Sequence, residues 1–188
     1  MVASTPVAPD PITQLVNQIT AMQHQLDELG RRTVIDPNNP VCRITMTASA
    51  SLAASADTYA QTGWAPGEDP DDLFTVSRGG SLYSSIDIPV SGRYLVYVRG
   101  IFTSPASAAT MTAFVTQNGV GVPYSIVRGN TNSTTAGGDG TIVEASRPVL
   151  LNTGDLLYWG YWSSQACTLT ANLNDVPSEV SITYLGPR

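Results

Sequence analysis

The residues most able to do chemistry in this chain are four carboxylates in one short run, Glu68, Asp69, Asp71 and Asp72. Carboxylate oxygens are the hard ligands that Ca²⁺ prefers, so this run is a candidate calcium site. Pro70 interrupts the run, however, and acidic runs of this kind are more often solvated loops. We therefore expect no bound metal and no cofactor, and calcium is the less favoured alternative.

The sequence offers little for acid-base or nucleophilic catalysis. His24 is the only histidine among the 188 residues, and the heptad pattern described below places it on the outward side of a helix. We find no phosphate-binding glycine loop, no paired carboxylates at a catalytic spacing and no Cys and His metal pattern. Cys42 and Cys167 lie in separate predicted strands, where a buried thiol behaves as a small hydrophobic group; a disulfide between them is the less favoured alternative. We expect that the protein is not an enzyme.

Charge and hydropathy argue against two classes of partner. The formal net charge is −6, and the nine basic residues are all Arg, spread singly apart from the pair Arg31 and Arg32. Nucleic-acid binding needs a clustered basic face, so we expect no nucleic-acid partner. No apolar run is long enough to span a bilayer, and residues 1–9 lack the basic start and the apolar middle of a secretory signal. We expect neither membrane insertion nor export by the general secretory route.

The elements that position these groups begin with an apolar seam near the start of the chain. Its residues are spaced alternately by three and four positions, which places them on one narrow stripe of a helix. They are Ile12, Leu15, Ile19, Met22, Leu26 and Leu29. Because the flanking positions are mostly Gln, the stripe is narrower than that of a helix packed on its own core. We predict a self-associating coiled coil over residues 11–30, with packing on the head as the alternative; the seam alone does not determine the copy number.

Three further parts surround this helix. Residues 1–10, rich in Pro, Ala, Ser and Thr, are predicted to form an extended tail that is either disordered or anchored to a partner. Residues 31–40 are predicted to form a Pro-rich hinge, because Pro37 and Pro40 prevent the helix from continuing. Residues 41–188 show short runs rich in Val, Ile, Thr and Tyr between Gly, Pro, Asn and Ser clusters, which is typical of a β-sandwich or barrel.

This head is predicted to contain ten short strands in two packed antiparallel sheets. The predicted strands are Arg43–Leu52, Leu73–Val76, Leu82–Ile88, Arg93–Ile101, Thr110–Gln117, Val122–Val127, Thr141–Leu151, Asp155–Trp162, Ala166–Leu173 and Glu179–Leu185. Asn118 followed by Gly119 predicts a tight hairpin turn, because both central positions of such a turn tolerate positive φ.

Two long loops are expected to carry any binding function. They are Asp57–Asp72, which holds Trp64 and the acidic run, and Arg128–Gly140, which is rich in Gly, Asn, Ser and Thr. Long loops on a rigid sandwich are where binding residues usually lie. The candidate binding residues in or beside these loops are Trp64, Tyr124, Arg128, Asn130 and Asn132.

Three motifs, taken in order, resemble the jelly-roll heads of the complement-q and tumour-necrosis-factor (TNF) superfamily. The first resembles that family's strand pair ending in P-x-x-G-x-Y, and its residues are Phe74, Gly79, Gly80, Ile86, Ile88, Pro89, Ser91, Gly92, Tyr94 and Tyr97. The second resembles an L-x-x-G-D-x-V-x-L strand, at Leu150, Leu151, Gly154, Asp155, Leu156 and Trp159. The third, 181–186, resembles a closing S-x-F-x-G strand that here lacks its Phe. The resemblance covers residues 41–188 and implies a ten-stranded jelly roll that forms a homotrimer, with the coiled coil in place of a collagen-like stalk.

The strand around Trp159 gives a physical reason for such an assembly. Because successive side chains of a strand point to opposite faces, Leu156, Tyr158 and Trp162 share one face and Leu157, Trp159 and Tyr161 share the other. One face can fill the sandwich, whereas the other needs a cover. We expect the cover to be a neighbouring subunit, with Tyr158, Trp159, Tyr161 and Trp162 contributing to oligomerisation; a cover formed by the chain's own loops is the alternative.

These features predict a bacteriophage virion structural protein: a small trimeric minor tail or fibre protein with an all-β head and a short N-terminal trimeric coiled coil. In this hypothesis residues 1–33 attach to other virion proteins, and the head contacts a glycan or protein of the host surface. The absence of Lys fits a high-GC genome, and assembly in the host cytoplasm needs no secretory signal. The alternatives are a capsid decoration or head-fibre protein and, from another class, a soluble lectin-like or complement-q-like binding module.

Overall fold

The structure is a computed structural model, and it describes residues 18, 22, 42–60, 63–68, 74–77, 84–105, 107–121, 124–133 and 140–187. Contacts divide the chain into two units, Met1–Ile35 and Asp36–Arg188. Gln18 and Met22 have helical backbone and exposed side chains. The predicted tail, coiled coil and hinge otherwise lie outside the described residues, and they stay predictions.

The second unit consists of strands throughout the ranges that the structure describes. The fifteen described strands are β1 (Cys42–Met46), β2 (Ala50–Leu52), β3 (Thr58–Tyr59), β4 (Trp64–Glu68), β5 (Thr75–Ser77), β6 (Ser85–Asp87), β7 (Gly92–Thr103), β8 (Ala109–Gln117), β9 (Ser125–Ser133), β10 (Thr141–Leu151), β11 (Leu156–Ser163), β12 (Cys167–Leu169), β13 (Asn172–Leu173), β14 (Val176–Pro177) and β15 (Glu179–Gly186). Among the described residues no helix is long and apolar enough to cross a membrane.

Most of these strands belong to two antiparallel sheets, as the sequence predicts. The first sheet has seven strands in the order β2-β12-β7-β15-β1-β4, with β10 also paired to β7. The second sheet has six strands in the order β5-β6-β11-β8-β9, with β3 also paired to β11. Strands β13 and β14 form a separate short ribbon. The long strand β7 and the aromatic strand β11 therefore lie within their sheets, each with partners on both edges.

The core lies between the two sheets and follows the two-residue period of the strands. In β7, Tyr94, Val96 and Val98 are fully buried, whereas the residues between them are half-buried or exposed. In β11, Leu157 and Trp159 are fully buried in the same way. Because alternate side chains point to opposite faces, each of these strands also has an outward row of side chains.

Tyr161 shows how tightly the two sheets pack. A Cβ atom at Gly100 of β7 would lie 2.6 Å from the Tyr161 ring, so glycine is needed to leave room for it. The Tyr161 hydroxyl donates a hydrogen bond to the Arg99 carbonyl at 3.1 Å. The ring of Trp64 stacks on Tyr161 with centroids 5.8 Å apart. Removing an aromatic side chain from such a site typically costs about 3 to 5 kcal/mol of folding free energy.

Both predicted long loops are wrong over part of their length. Strand β9 runs through Ser133, so the first six residues of the predicted loop Arg128–Gly140 form a strand. Its run of Gly, Asn, Thr and Ser has the composition of a loop, but these residues pair with β8 from Ala109 to Thr116. The predicted loop Asp57–Asp72 likewise contains β3 and β4.

The tight turn predicted at Asn118 and Gly119 is also wrong, because seven residues separate β8 from β9. Asn118 does have a positive φ of 55°, but Gly119 does not. The Asn118 side chain instead donates to Asp155 Oδ1 at 2.7 Å and accepts from the Leu156 N–H at 2.8 Å. These bonds hold the end of β8 against the start of β11.

Candidate assembly and binding surfaces

The outward face of the first sheet carries a strip of apolar side chains. Leu150, Ile142 and Leu185 are exposed to 55%, 44% and 41%, and Leu95 and Tyr97 beside them are half-buried. We call these five residues the apolar strip. In register, Leu95 and Tyr97 of β7 lie between Leu150 and Ile142 of β10, and the Arg99–Glu144 pair separates Tyr97 from Ile142. Clustered exposure of large apolar side chains on a folded domain is typical of an interaction site.

A network of charged side chains lies on the same face. Glu179 accepts a hydrogen bond from Arg43 Nε at 2.6 Å, and its other oxygen lies 3.2 Å from Arg99 Nη2. Arg99 Nε donates to both Glu144 Oε1 and the Tyr97 hydroxyl at 2.7 Å. The Glu179 side chain is only 7% exposed although it points outward. With two guanidinium groups and two carboxylates the network is neutral, so a partner can cover this face without burying an unpaired charge.

The network keeps its members in defined protonation states. Hydrogen bonds from the Tyr97 hydroxyl and then from the Arg99 guanidinium hold the pKa of Glu144 below its usual range. Burial, together with the hydrogen bond to Glu144, raises the pKa of Tyr97 to about 12. At neutral pH, Glu144 is therefore a carboxylate and Tyr97 a neutral donor, which matches their 2.9 Å hydrogen bond.

The aromatic strand β11 is bulky on both faces, as the sequence predicts, but its inner face is part of the core. Trp159 and Tyr161 are each 1% exposed and contact Trp64 and Phe102 within the sandwich. Their predicted contribution to oligomerisation is therefore wrong. They fill the space between the sheets of one chain, because inward residues of a sandwich pack on the facing sheet.

The outer face of β11 is partly covered by the chain's own residues, which was the alternative at the sequence level. Tyr59 of β3 lies opposite Gly160, and its ring packs edge to face on Phe114 with centroids 5.4 Å apart. A Cβ atom at Gly160 would lie 2.8 Å from Phe114, so glycine makes room for that ring. The Tyr59 hydroxyl accepts a hydrogen bond from the Gly121 N–H of the loop after β8. Tyr158 and Trp162 on either side stay half-buried.

Three of the five predicted binding residues form a row on one strand rather than on a loop. Arg128, Asn130 and Asn132 all lie on β9 with exposed side chains. Alternate residues of a strand share a face, so the three line up on the outward side of the second sheet. The predicted location in a loop was wrong, whereas the three side chains are exposed to solvent, as expected for outward-facing residues.

The other two predicted binding residues lie apart from this row. Trp64 is 9% exposed in β4, so its predicted place on an outward loop is wrong. It forms part of the wall of a partly open pocket of about 140 Å³, with Met46, Ala50, Leu52, Thr58, Tyr59, Ala60, Tyr161 and Leu169. Tyr124, immediately before β9, is 50% exposed and stays a candidate surface residue.

The remaining predicted site residues lie mostly outside the described part of the chain. The seam residues Ile12, Leu15, Ile19, Leu26 and Leu29 and the acidic residues Asp69, Asp71 and Asp72 are not described; Glu68 is described by its backbone alone. Within the ranges that are described, no group of three His, Cys, Asp or Glu side chains is placed to hold a metal ion. Cys42 and Cys167 are buried in β1 and β12, and no disulfide joins these two residues.

Sequence reasoning missed the apolar strip, although the signal was present. In β7 the residues Leu95 and Tyr97 alternate with the buried Tyr94, Val96 and Val98, so this strand is bulky on both faces just as β11 is. The two-face argument that was applied to β11 applies equally to β7. The exposed side chains of β10, from Ile142 to Leu150, show which face of the first sheet points to solvent.

Comparisons with known proteins agree on the fold. No protein-family model and no curated protein matches the chain by sequence. Eiger TNF from S. frugiperda aligns with a TM-score of 0.59 at 14% identity, over 80% of this chain and 96% of that chain. Murine APRIL at pH 8.0 aligns with a TM-score of 0.55 at 17% identity, over 78% of this chain and 98% of that chain. At these identities the likeness concerns the fold alone: the head is a TNF-like jelly roll, as the sequence motifs predicted.

Proposed function

We propose that this protein is a homotrimeric binding module whose subunits assemble through the outward face of the first sheet. The observation that carries the proposal is the apolar strip, in which Leu150, Ile142 and Leu185 are more than two-fifths exposed. Burying apolar surface contributes about 25 cal/mol per Å², so covering such a strip favours association. The neutral network around Glu179 lies on the same face. Its charges are already paired, so covering it with a partner leaves no unpaired charge buried.

Three copies are favoured over two by the sequence as well as by the fold. The resemblance to the complement-q and TNF superfamily implies a trimer, and the predicted seam of residues 11–30 brings N-terminal segments together. A coiled coil of about three heptads is marginal on its own, since short helices fray. In this proposal the head supplies most of the association and the seam gathers the N-termini into one stalk.

We further propose that the trimer is a virion structural protein of a bacteriophage, in which residues 1–33 attach to the particle and the head contacts the host surface. The support is the order of parts along the chain, namely tail, seam, hinge and β-sandwich head. Three of the described carboxylates of the head are already engaged by structural partners. Glu144 and Glu179 are held by guanidinium groups, and Asp155 is held by amide groups.

The oligomeric mass of the purified protein tests the assembly. We expect light scattering to give a trimer for the full chain and also for a form that lacks residues 1–33, because the apolar strip lies in the head. A dimer, or a monomer at micromolar concentration, would contradict the proposal. A trimer that dissociates only when residues 1–33 are removed would assign assembly to the seam instead.

The particle itself tests the second half of the proposal. We expect mass spectrometry to find the protein in purified virions, and deletion of residues 1–33 to prevent its incorporation while the head still folds. If virions lack the protein, or incorporate the deleted form normally, the proposed virion role is wrong. The alternative of a free binding module then remains. The position of the protein on the particle would then distinguish a tail fibre from a capsid decoration.

A further inference from the structure

The outward face of the second sheet presents an ordered row of amide and guanidinium groups beside an aromatic ring. We call the surface formed by Arg128, Asn130, Asn132, Thr110, Thr112 and Trp162 the amide face. Register places Trp162 of β11 opposite Thr112 of β8, and Thr112 opposite Asn130 of β9. Residues directly opposite each other in an antiparallel sheet share a face, so the indole, the hydroxyl and the amide lie in one line across three strands.

Hydrogen bonds hold the amides of this face in fixed orientations. The Thr112 hydroxyl donates to Asn130 Oδ1 at 2.9 Å, and the Thr110 hydroxyl donates to Asn132 Oδ1 at 2.8 Å. The carbonyl end of each amide is therefore turned towards β8, and the NH₂ end is left to donate outward. Arg128 Nε lies 3.4 Å from Asn130 Oδ1, so the guanidinium follows the same row. Such ordering in the free protein reduces the entropy lost on binding.

The aromatic part of the face lies beside a buried hydroxyl group. Trp162 is half-buried on the outer side of β11, whereas Thr112 beside it is only 1% exposed. Neighbouring strands are about 4.8 Å apart, so the backbones at Trp162 and Asn130 are separated by roughly 10 Å across Thr112. This spacing is wider than a single sugar ring and offers an apolar surface at one side and hydrogen-bond donors at the other.

From this arrangement we propose that the amide face binds a neutral oligosaccharide laid across β11, β8 and β9. The C–H groups of a sugar ring pack on an aromatic surface, and its hydroxyls accept from amide and guanidinium donors. No carboxylate occurs in β8, β9 or residues 160–163, so the charged group of this face is the Arg128 guanidinium, which can donate to sugar hydroxyls. This inference rests on the proposed function, since it names the class of host-surface molecule that the head contacts.

The placement of the face is compatible with the proposed trimer. The apolar strip lies on the outward face of the first sheet and the amide face on that of the second, on opposite sides of the sandwich. Assembly through the strip therefore leaves three amide faces accessible on one trimer. Three weak sites on one trimer bind a polymeric glycan far more tightly than a single site does.

The test uses the full-length protein on an array of neutral and acidic oligosaccharides taken from bacterial surface polysaccharides. We expect saturable binding to neutral oligosaccharides, and we expect the ligand to reduce the quenching of Trp162 fluorescence by acrylamide, because Trp64 and Trp159 are already buried. Trp162→Ala should weaken binding at least tenfold, and Asn130→Ala several-fold. Asn172→Ala is the matched control, because it removes an exposed amide from β13, and it should bind as the unchanged protein does.

Three results would overturn the inference: no binding to any carbohydrate, binding of acidic oligosaccharides alone, or wild-type affinity in Trp162→Ala. Circular dichroism of each variant establishes that it is folded before its affinity is compared. Light scattering of the same samples separates this inference from the proposed function. A trimer without carbohydrate binding would overturn only the inference about the amide face. A monomer that binds neutral oligosaccharides through Trp162 would overturn only the proposal of trimeric assembly.

Discussion

The two sheets of the sandwich differ in what they expose on their outward faces. The first sheet shows large apolar side chains over a neutral network of Arg and Glu, whereas the second shows Asn, Thr and Arg beside a half-buried indole. Exposed apolar side chains are typical of protein–protein interfaces, whereas a few ordered polar groups are typical of sites that bind a polar ligand. The proposed division of roles, with assembly on the first sheet and recognition on the second, rests on this difference.

The substitution Leu95→Glu is expected to have the largest effect, because it places a charge in the middle of the apolar strip. Burying an unpaired carboxylate costs several kcal/mol in each subunit. We expect the trimer to become a monomer at micromolar concentration in light scattering, with the circular dichroism spectrum unchanged. Tyr158→Glu is the matched control on the second sheet and should stay trimeric. If the Tyr158→Glu variant is monomeric and the Leu95→Glu variant stays trimeric, assembly takes place through the second sheet and the proposal is wrong.

The next largest effect is expected at Glu179, which both Arg43 and Arg99 contact. Glu179→Gln leaves two guanidinium groups facing a neutral amide. We expect the free energy of unfolding to fall by about 2 to 3 kcal/mol, less than for a fully buried pair because Arg43 is one-third exposed. Urea unfolding in the Leu95→Glu background measures this, since it removes the contribution of association.

The neighbouring carboxylate Glu144 provides the control for that experiment. It takes part in the same network, but its side chain is 51% exposed. Glu144→Gln should therefore lower the free energy of unfolding by less than about 1 kcal/mol. Equal effects at Glu144 and Glu179 would show that burial of the network does not determine its contribution.

A smaller effect is expected at Asp155, at the end of the second sheet. Its pKa is lowered: burial works against this, but hydrogen bonds from the Asn152 N–H and from the side chains of Asn118 and Gln117 prevail. A lowered pKa in the folded state means that the stabilisation is present above the unfolded pKa, near 3.9, and is lost as pH falls below it.

The variant Asp155→Asn tests this acid dependence. At pH 7 we expect the free energy of unfolding to fall by about 1 to 2 kcal/mol, since hydrogen bonds to a charged acceptor are lost. Below pH 4 the unchanged protein should lose stability more steeply than the variant, as followed by urea unfolding at several pH values. Parallel curves for the two proteins would contradict the role given to Asp155. The trimeric mass near pH 7 should be the same for both, because the partners of Asp155, which are Gln117, Asn118 and Asn152, are not members of the apolar strip.

The general architecture was predictable from sequence because it depends on local patterns. Runs of aliphatic and aromatic residues between turn-forming clusters identified the two long strands, predicted as Arg93–Ile101 and Asp155–Trp162, and three motifs in order indicated a jelly roll. The polar strand β9 was not predictable, since Gly129, Asn130, Thr131 and Asn132 have the composition of a loop. Its strand state depends on pairing with β8, and Gly129 is required because a Cβ atom there would lie 2.5 Å from the Glu144 carbonyl oxygen of β10.

The candidate sites were less predictable than the fold. Exposure of Asn130 and Asn132 could be predicted from polarity, but not the hydroxyl groups that orient them, because Thr110 and Thr112 are about twenty residues away in sequence. The inward position of Trp159 could not be distinguished from an outward one by alternation, which identifies two faces without saying which is inside. That choice depends on Gly100 and Phe102 of the facing sheet, which make room for and contact Tyr161.

The smallest expected effect distinguishes two members of the amide face that look alike in sequence. Asn130→Ala removes the acceptor of a hydroxyl on Thr112, which is 1% exposed, so water cannot replace the bond and about 1 kcal/mol of stability is lost. Asn132→Ala removes the acceptor of Thr110, which is exposed, so water replaces it at a cost below about 0.5 kcal/mol. Urea unfolding of the two variants in the Leu95→Glu background measures this difference. Equal losses would mean that water reaches the Thr112 hydroxyl in Asn130→Ala, and the ordered face that distinguishes the second sheet from the first would then be solvated like an ordinary strand.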